Sequence, residues 1–130
     1  MTEPEGTEGR RLAQTLEALT ETSGVVGGVL AAEDGFPLAT RLGDVHDREG
    51  MAAAAAAIGQ LAGQTLGRLG RGALQLAVLE ASRATFVVRP TAVGFLMAVA
   101  EPEADVSLIA TEMRRAAGAL EQAASALAGS

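Results

Sequence analysis

Three apolar stretches in the second half of the chain are joined by connections too short to allow anything but antiparallel pairing. Ala73 to Glu80, Ala84 to Arg89 and Val93 to Ala100 are separated only by Ala81-Ser82 and by Pro90-Thr91-Ala92. A parallel crossover needs about a dozen residues or more, whereas an antiparallel turn needs as few as two. These runs are therefore expected to form a three-stranded meander. The first half carries a matching pair, in which Val25 to Ala32 and Phe36 to Leu42 flank Glu33-Asp34-Gly35. An Asp-Gly step between two apolar runs is a hairpin signal, because glycine adopts the positive φ that such turns demand. Pro37 lies inside the second run. Having no N–H to give a ladder, it places that strand at a sheet edge.

Three segments carry helical periodicity instead. Glu8 to Glu21 brings Leu12, Leu16 and Leu19 onto one face, and Ser23-Gly24 stops it. Arg48 to Leu69 repeats Met51, Ala54, Ala55, Ile58, Ala62, Thr65, Leu66 and Leu69 at helical spacing. Asp44-Val45-His46-Asp47 offers capping residues before it, and Gly70-Arg71-Gly72 ends it. Val106 to Leu127 follows Asp105, a candidate N-cap, with a stripe of Ile109, Met113, Ala116, Leu120, Ala124 and Leu127. The order is helix, two strands, helix, three strands, helix. Met1 to Thr7, rich in Glu, Gly and Pro, reads as a loose tail preceding a single domain over residues 8–127.

Composition narrows the function. Apolar residues are 48% of the chain but aromatic residues only 2%, with no Trp or Tyr. Aromatic stacking on nucleic-acid bases is thus nearly out of reach. The net charge of −6 repels phosphate backbones and anionic lipid. No nucleic-acid partner is expected. Without cysteine there is no disulfide and no thiolate chemistry. The longest apolar run, Met51 to Ile58, falls far short of the roughly 20 residues that span a bilayer, so no membrane insertion is expected. Met1 to Arg11 has no apolar stretch of the signal-peptide kind, which points to the cytoplasm. Every basic residue is an Arg, and Ala and Gly abound, as a GC-rich bacterial coding bias would produce.

Gly28-Val29-Leu30-Ala31-Ala32-Glu33-Asp34-Gly35-Phe36-Pro37-Leu38-Ala39 resembles the strand, Asp-Gly turn and Pro-Leu-Ala second strand of the roadblock/LC7 family, which includes the bacterial MglB-like proteins. The Ala-rich central helix and Val93-Gly94-Phe95-Leu96-Met97-Ala98-Val99 resemble the family's later elements. This resemblance implies an α+β fold. It has a five-stranded antiparallel sheet, with the long central helix on one face and the terminal helices on the other. It also implies a homodimer that binds or regulates a Ras-like small GTPase.

The residues ask for a second copy on their own account. The family order leaves the second and third strands at the two edges. Pro37 blunts one of them. The other, Leu74-Gln75-Leu76-Ala77-Val78-Leu79, has neither proline nor charge, and such an edge aggregates unless something pairs with it. Pairing with itself about a two-fold axis satisfies it and assigns Leu74, Leu76 and Val78 to a dimer interface. Ala55, Gly59, Gly63 and Gly67 form a ridge of small residues four apart on the central helix. Each glycine costs about 1 kcal/mol against alanine there, so close approach of another backbone must offset it. The neighbour is either the domain's own sheet or a partner helix.

Catalytic chemistry is not legible. The lone His46 stands between Asp44 and Asp47, but metal sites need three or four converging ligands and helix capping accounts for both carboxylates. Gly67-Arg68-Leu69-Gly70-Arg71-Gly72 follows a helix and precedes a strand, the reverse of a phosphate-binding loop, and reads as a cap and turn. No nucleophile, base and orienting group come together, so neither an active site, a metal nor a cofactor is expected. Arg68 and Arg71, with Gln60 and Gln64 on the same side, are candidate partner-binding residues; two Arg at a helix C-terminus also complement its dipole. Two functions fit this reading: a GTPase-activating homodimer, or an adaptor in a bacterial signalling complex with no effect on hydrolysis. A small-molecule sensor is disfavoured by the lack of aromatic and polar residues for a pocket.

Overall fold

The computed structural model describes residues 6–43 and 47–129, and the side chains of 6–8 and 124–129 lie outside that description. Helix α1 (Gly6–Thr20) is followed by β1 (Val25–Ala31) and β2 (Pro37–Arg41). Helix α2 (Arg48–Leu69) leads to β3 (Ala77–Glu80), β4 (Thr85–Thr91) and β5 (Gly94–Ala100), and α3 (Val106–Gly129) closes the chain. The strands form one antiparallel sheet in the order β2-β1-β5-β4-β3.

Central strands β1 and β5 are apolar at nearly every position because both of their faces are covered. Val29, Ala31, Met97 and Val99 point to one face with Val88 and pack under Ala52 and Ala55 of α2. Leu30, Leu96, Ala98 and Ala100 point to the other, with Val87, against Leu16 and Leu19 of α1 and Ile109, Met113 and Leu120 of α3. Each fully buried large side chain of this second layer contributes roughly 1.5–3 kcal/mol. The α2 layer is thinner, since its helix meets the sheet with alanine and glycine: Ala52, Ala55, Ala56 and Gly59 are its buried residues.

Local signals act as their chemistry requires. Gly35 turns at φ +93°, Asp34 Oδ1 accepts from the Phe36 N–H at 3.0 Å, and β2 returns as an edge strand headed by Pro37. Gly70 closes α2 in the left-handed conformation, its N–H donating to Gly67, so the Gly-rich stretch is a cap. Asp105 Oδ1 accepts from the Leu108 N–H at 3.2 Å and caps α3. Asp47 stands at the α2 N-cap position, but its side chain accepts no capping hydrogen bond there. Asp44, Val45 and His46 lie outside the described residues, as do residues 1–5 of the expected tail.

Four expectations need correction. β3 begins at Ala77 rather than Ala73. Continuing the Ala77↔Val88 register puts Gln75 opposite Pro90, which has no N–H to offer. The Gln75 carbonyl is taken instead by the Arg89 side chain, whose Nη1 donates to it at 3.2 Å. Pro90 itself lies within β4 and not in a turn, so the β4–β5 reversal is made by Ala92-Val93. The first helix begins at Gly6, two residues before the expected start at Glu8. On α2, Ala54, Thr65 and Leu69 are exposed although they share the stripe read from the sequence: the helix seats on the sheet along Ala52, Ala55, Ala56 and Gly59, a line that Ala54 misses, and Thr65 and Leu69 lie beyond its end. Ala124 and Leu127 of the α3 stripe have side chains outside the described residues.

Candidate interaction surface

The second half of α2 carries apolar side chains that the domain leaves uncovered. Leu61 is 67% exposed and Leu69 64%, while Val78 and Leu79 on the edge strand β3 are 39% and 43% exposed. Leu66, Ala62 and Gly63 are half-buried, with Leu66 and Ala62 adding apolar area to the same helix half. Pro90 and the shortened β3 leave the 73–76 segment beside β4 without a strand ladder, with Leu74 and Leu76 half-buried and Leu76 turned into the α1/α3 core. Of the residues read as a dimer edge, only Val78 therefore lies in strand.

The glycine ridge divides between two environments. A β-carbon at Gly59 would stand 2.3 Å from the Phe95 ring, and Ala55 is fully buried, so both face the domain's own sheet. Nothing lies within 4 Å of a β-carbon built at Gly63 or Gly67. The near half of the ridge packs inward; the far half is open.

Gln60, Gln64 and Arg68 are exposed and stand four residues apart, which puts them on one stripe of α2. Arg71 is exposed in the turn after the cap. Gln60 does something sequence reasoning missed: its Nε2 donates to the Glu33 carbonyl and ties α2 to the β1–β2 hairpin. A glutamine on an exposed stripe gives no sequence signal for that contact. From Gly50 to Leu79 the chain contains no Asp or Glu, and Arg68 and Arg71 are its only charges. In a chain of net charge −6 this segment is apolar and carries only positive charge.

Among the described residues no three His, Asp or Glu side chains cluster as metal ligands, and no helix is long and apolar enough to cross a membrane. A depression of about 410 Å³ between α1 and α3, lined by Arg11, Leu19, Glu112, Arg115 and Leu120 among others, lies on the opposite face of the sheet.

Residues 11–101 match the family model described as the Roadblock/LC7 domain. An uncharacterized protein of Methanocaldococcus jannaschii, MJ0310, is 27% identical over 104 residues, which is 80% of this chain and 91% of that protein. The structure of Myxococcus xanthus MglB superposes with a TM-score of 0.85 at 12% identity, covering 98% of this chain and 96% of that one. An MglB in a tetrameric arrangement gives a TM-score of 0.80 at 21% identity, covering 94% and 93%. These solved structures share the three helices and five-stranded antiparallel sheet described above.

Proposed function

Because the chain belongs to the roadblock/LC7 domain family, we propose that it is a homodimeric regulator, without an active site of its own, that binds a Ras-like small GTPase and stimulates its GTP hydrolysis. The observation that carries this reading is the continuity of two unsatisfied features. The open edge of β3 up to Leu79 and an uncovered helix half from Leu61 to Leu69 belong to one stretch of chain without Asp or Glu, which Glu80 closes. Edge pairing between two copies satisfies the first, and the tetrameric arrangement known for an MglB of the same fold is consistent with self-association. Gly63 and Gly67 have room for a second backbone on the far half of the ridge. On this reading Leu74, Leu76, Val78 and Gly63 line the dimer seam. Gln64, Arg68 and Arg71 meet the acidic or phosphate-bearing surface of the GTPase, while Gln60 holds the hairpin beneath them. The dimer works in a bacterial cytoplasm and acts by reshaping the GTPase, whose own residues do the chemistry.

Single-turnover GTP hydrolysis by a Ras-like GTPase of the same organism, with and without this protein, tests the reading. Faster hydrolysis is expected. A GTPase that neither binds nor changes its rate overturns it. The adaptor reading rests on a separate observation: Arg68 and Arg71 are exposed and neither makes an ion pair among the described residues, whereas an arginine that acts on a nucleotide has to be held in place. Binding without a change in hydrolysis would favour the adaptor.

A further inference from the structure

The guanidinium of Arg89 is the least satisfied polar group in the described structure. It sits half-buried on β4, and its Nε is buried with no hydrogen-bond partner, while Nη1 reaches only the Gln75 carbonyl. Arg89 lines a depression with Arg114 and Glu121 of α3, yet the ion pair Arg115–Glu112 is the only one among the described residues. Arg89 therefore has no anionic partner among the described residues. Glu80, exposed at the end of the edge strand, has no cationic partner among them either.

Pleat and register put these two groups on the same side of the sheet. Val87 packs in the α1/α3 core, so Arg89, two residues on, points to that face as well. Leu76 packs in the same core, and the Ala77↔Val88 register places it beside Arg89. Along the edge strand Val78 and Glu80 alternate back to the face of Leu76.

A second copy that pairs edge to edge about a two-fold axis normal to the sheet must keep this face on one side. Cross-strand partners always share a face, so only residues of equal parity can stand opposite each other. Val78 opposite its own copy is such a register. It sets Glu80 of the partner subunit against Leu76, in one transverse row with Arg89. Two inter-strand spacings separate the backbones of Arg89 and that glutamate, roughly 10 Å, a span that an arginine and a glutamate side chain bridge together. We infer that Arg89 of each protomer pairs with Glu80 of the partner subunit and that this pairing fixes the Val78-on-Val78 register. The inference rests on the edge-pairing reading and adds to it the residues that choose the alignment.

Sedimentation equilibrium on the full chain tests it. Glu80→Arg is made at an exposed position, so the fold is retained; its dimer is expected to weaken about tenfold or more, with a smaller loss at high salt. The double variant Glu80→Arg with Arg89→Glu restores affinity towards that of the unaltered protein. Because the chain has no cysteine, Val78→Cys reads the register directly: under mild oxidation it forms a covalent dimer faster than Leu79→Cys. A dimer indifferent to Glu80→Arg, or one that Leu79→Cys cross-links faster, overturns the pairing and leaves edge association standing. A monomer at all concentrations removes edge association and the pairing with it.

Discussion

Phe95 occupies the space that a side chain at Gly59 would need, its ring lying 2.3 Å from where a β-carbon would be. The middle of α2 is thereby pinned to the start of β5, and Gly59 is the last buried residue of the helix. Gly59→Ala is expected to destabilise the fold by about 1–3 kcal/mol, because the phenyl ring or the helix must shift to admit one methyl group. Urea denaturation followed by circular dichroism measures this.

Gly67→Ala has the opposite sign. Within one protomer nothing lies near that position, so alanine gains its helical preference and raises the stability of the isolated protomer by roughly 0.5–1 kcal/mol. The same denaturation experiment checks it, and the two variants together locate where α2 leaves the sheet.

Gly94→Ala is the most damaging substitution expected in the chain. At φ +148° a β-carbon would come within 1.9 Å of the Ala31 carbonyl oxygen, in a sheet that is buried on both faces at this point. Loss of about 4 kcal/mol or more follows, enough to abolish soluble expression of a small domain. Thermal unfolding, or its absence in an already unfolded product, reads the result.

Leu61→Asp separates folding from association. The side chain is mostly solvent-exposed, so stability changes by no more than about 0.5 kcal/mol. A carboxylate in the middle of this exposed apolar helix half is expected to weaken binding of the proposed partner about tenfold or more. Isothermal titration against the proposed GTPase partner measures it alongside a melting curve.

Asp105→Ala removes the side-chain acceptor of the Leu108 N–H at the start of α3 and costs about 1 kcal/mol. Faster amide exchange confined to the first turn of α3 distinguishes this local loss from a global one.

The sequence made some of this legible and hid the rest for identifiable reasons. The bounds of α2 were readable to the residue because Gly70 is a cap that no other residue type fits as easily. The edge position of β2 was readable because Pro37 states it chemically. Pro90 misled: a proline between apolar runs reads as a turn, yet here it lies in β4 and instead shortens the neighbouring β3. That effect acts across strands and appears only when register is known. The glycine ridge left its neighbour open for the same reason, since the Phe95 contact that divides it comes from a residue far away in the chain. Gln60 and Arg89 were silent because a glutamine on an exposed stripe, or an arginine in a strand, takes its meaning from the carbonyl it meets.

The sheet has two unlike margins, and the difference limits growth. A strand led by Pro37 offers an incoming chain a broken row of donors, whereas β3 offers an intact but short one. Once two β3 strands have met, each subunit turns only its proline-led margin outward. On the proposed pairing no unprotected edge is left to recruit a third copy, so strand addition ends at two subunits instead of extending into a fibre.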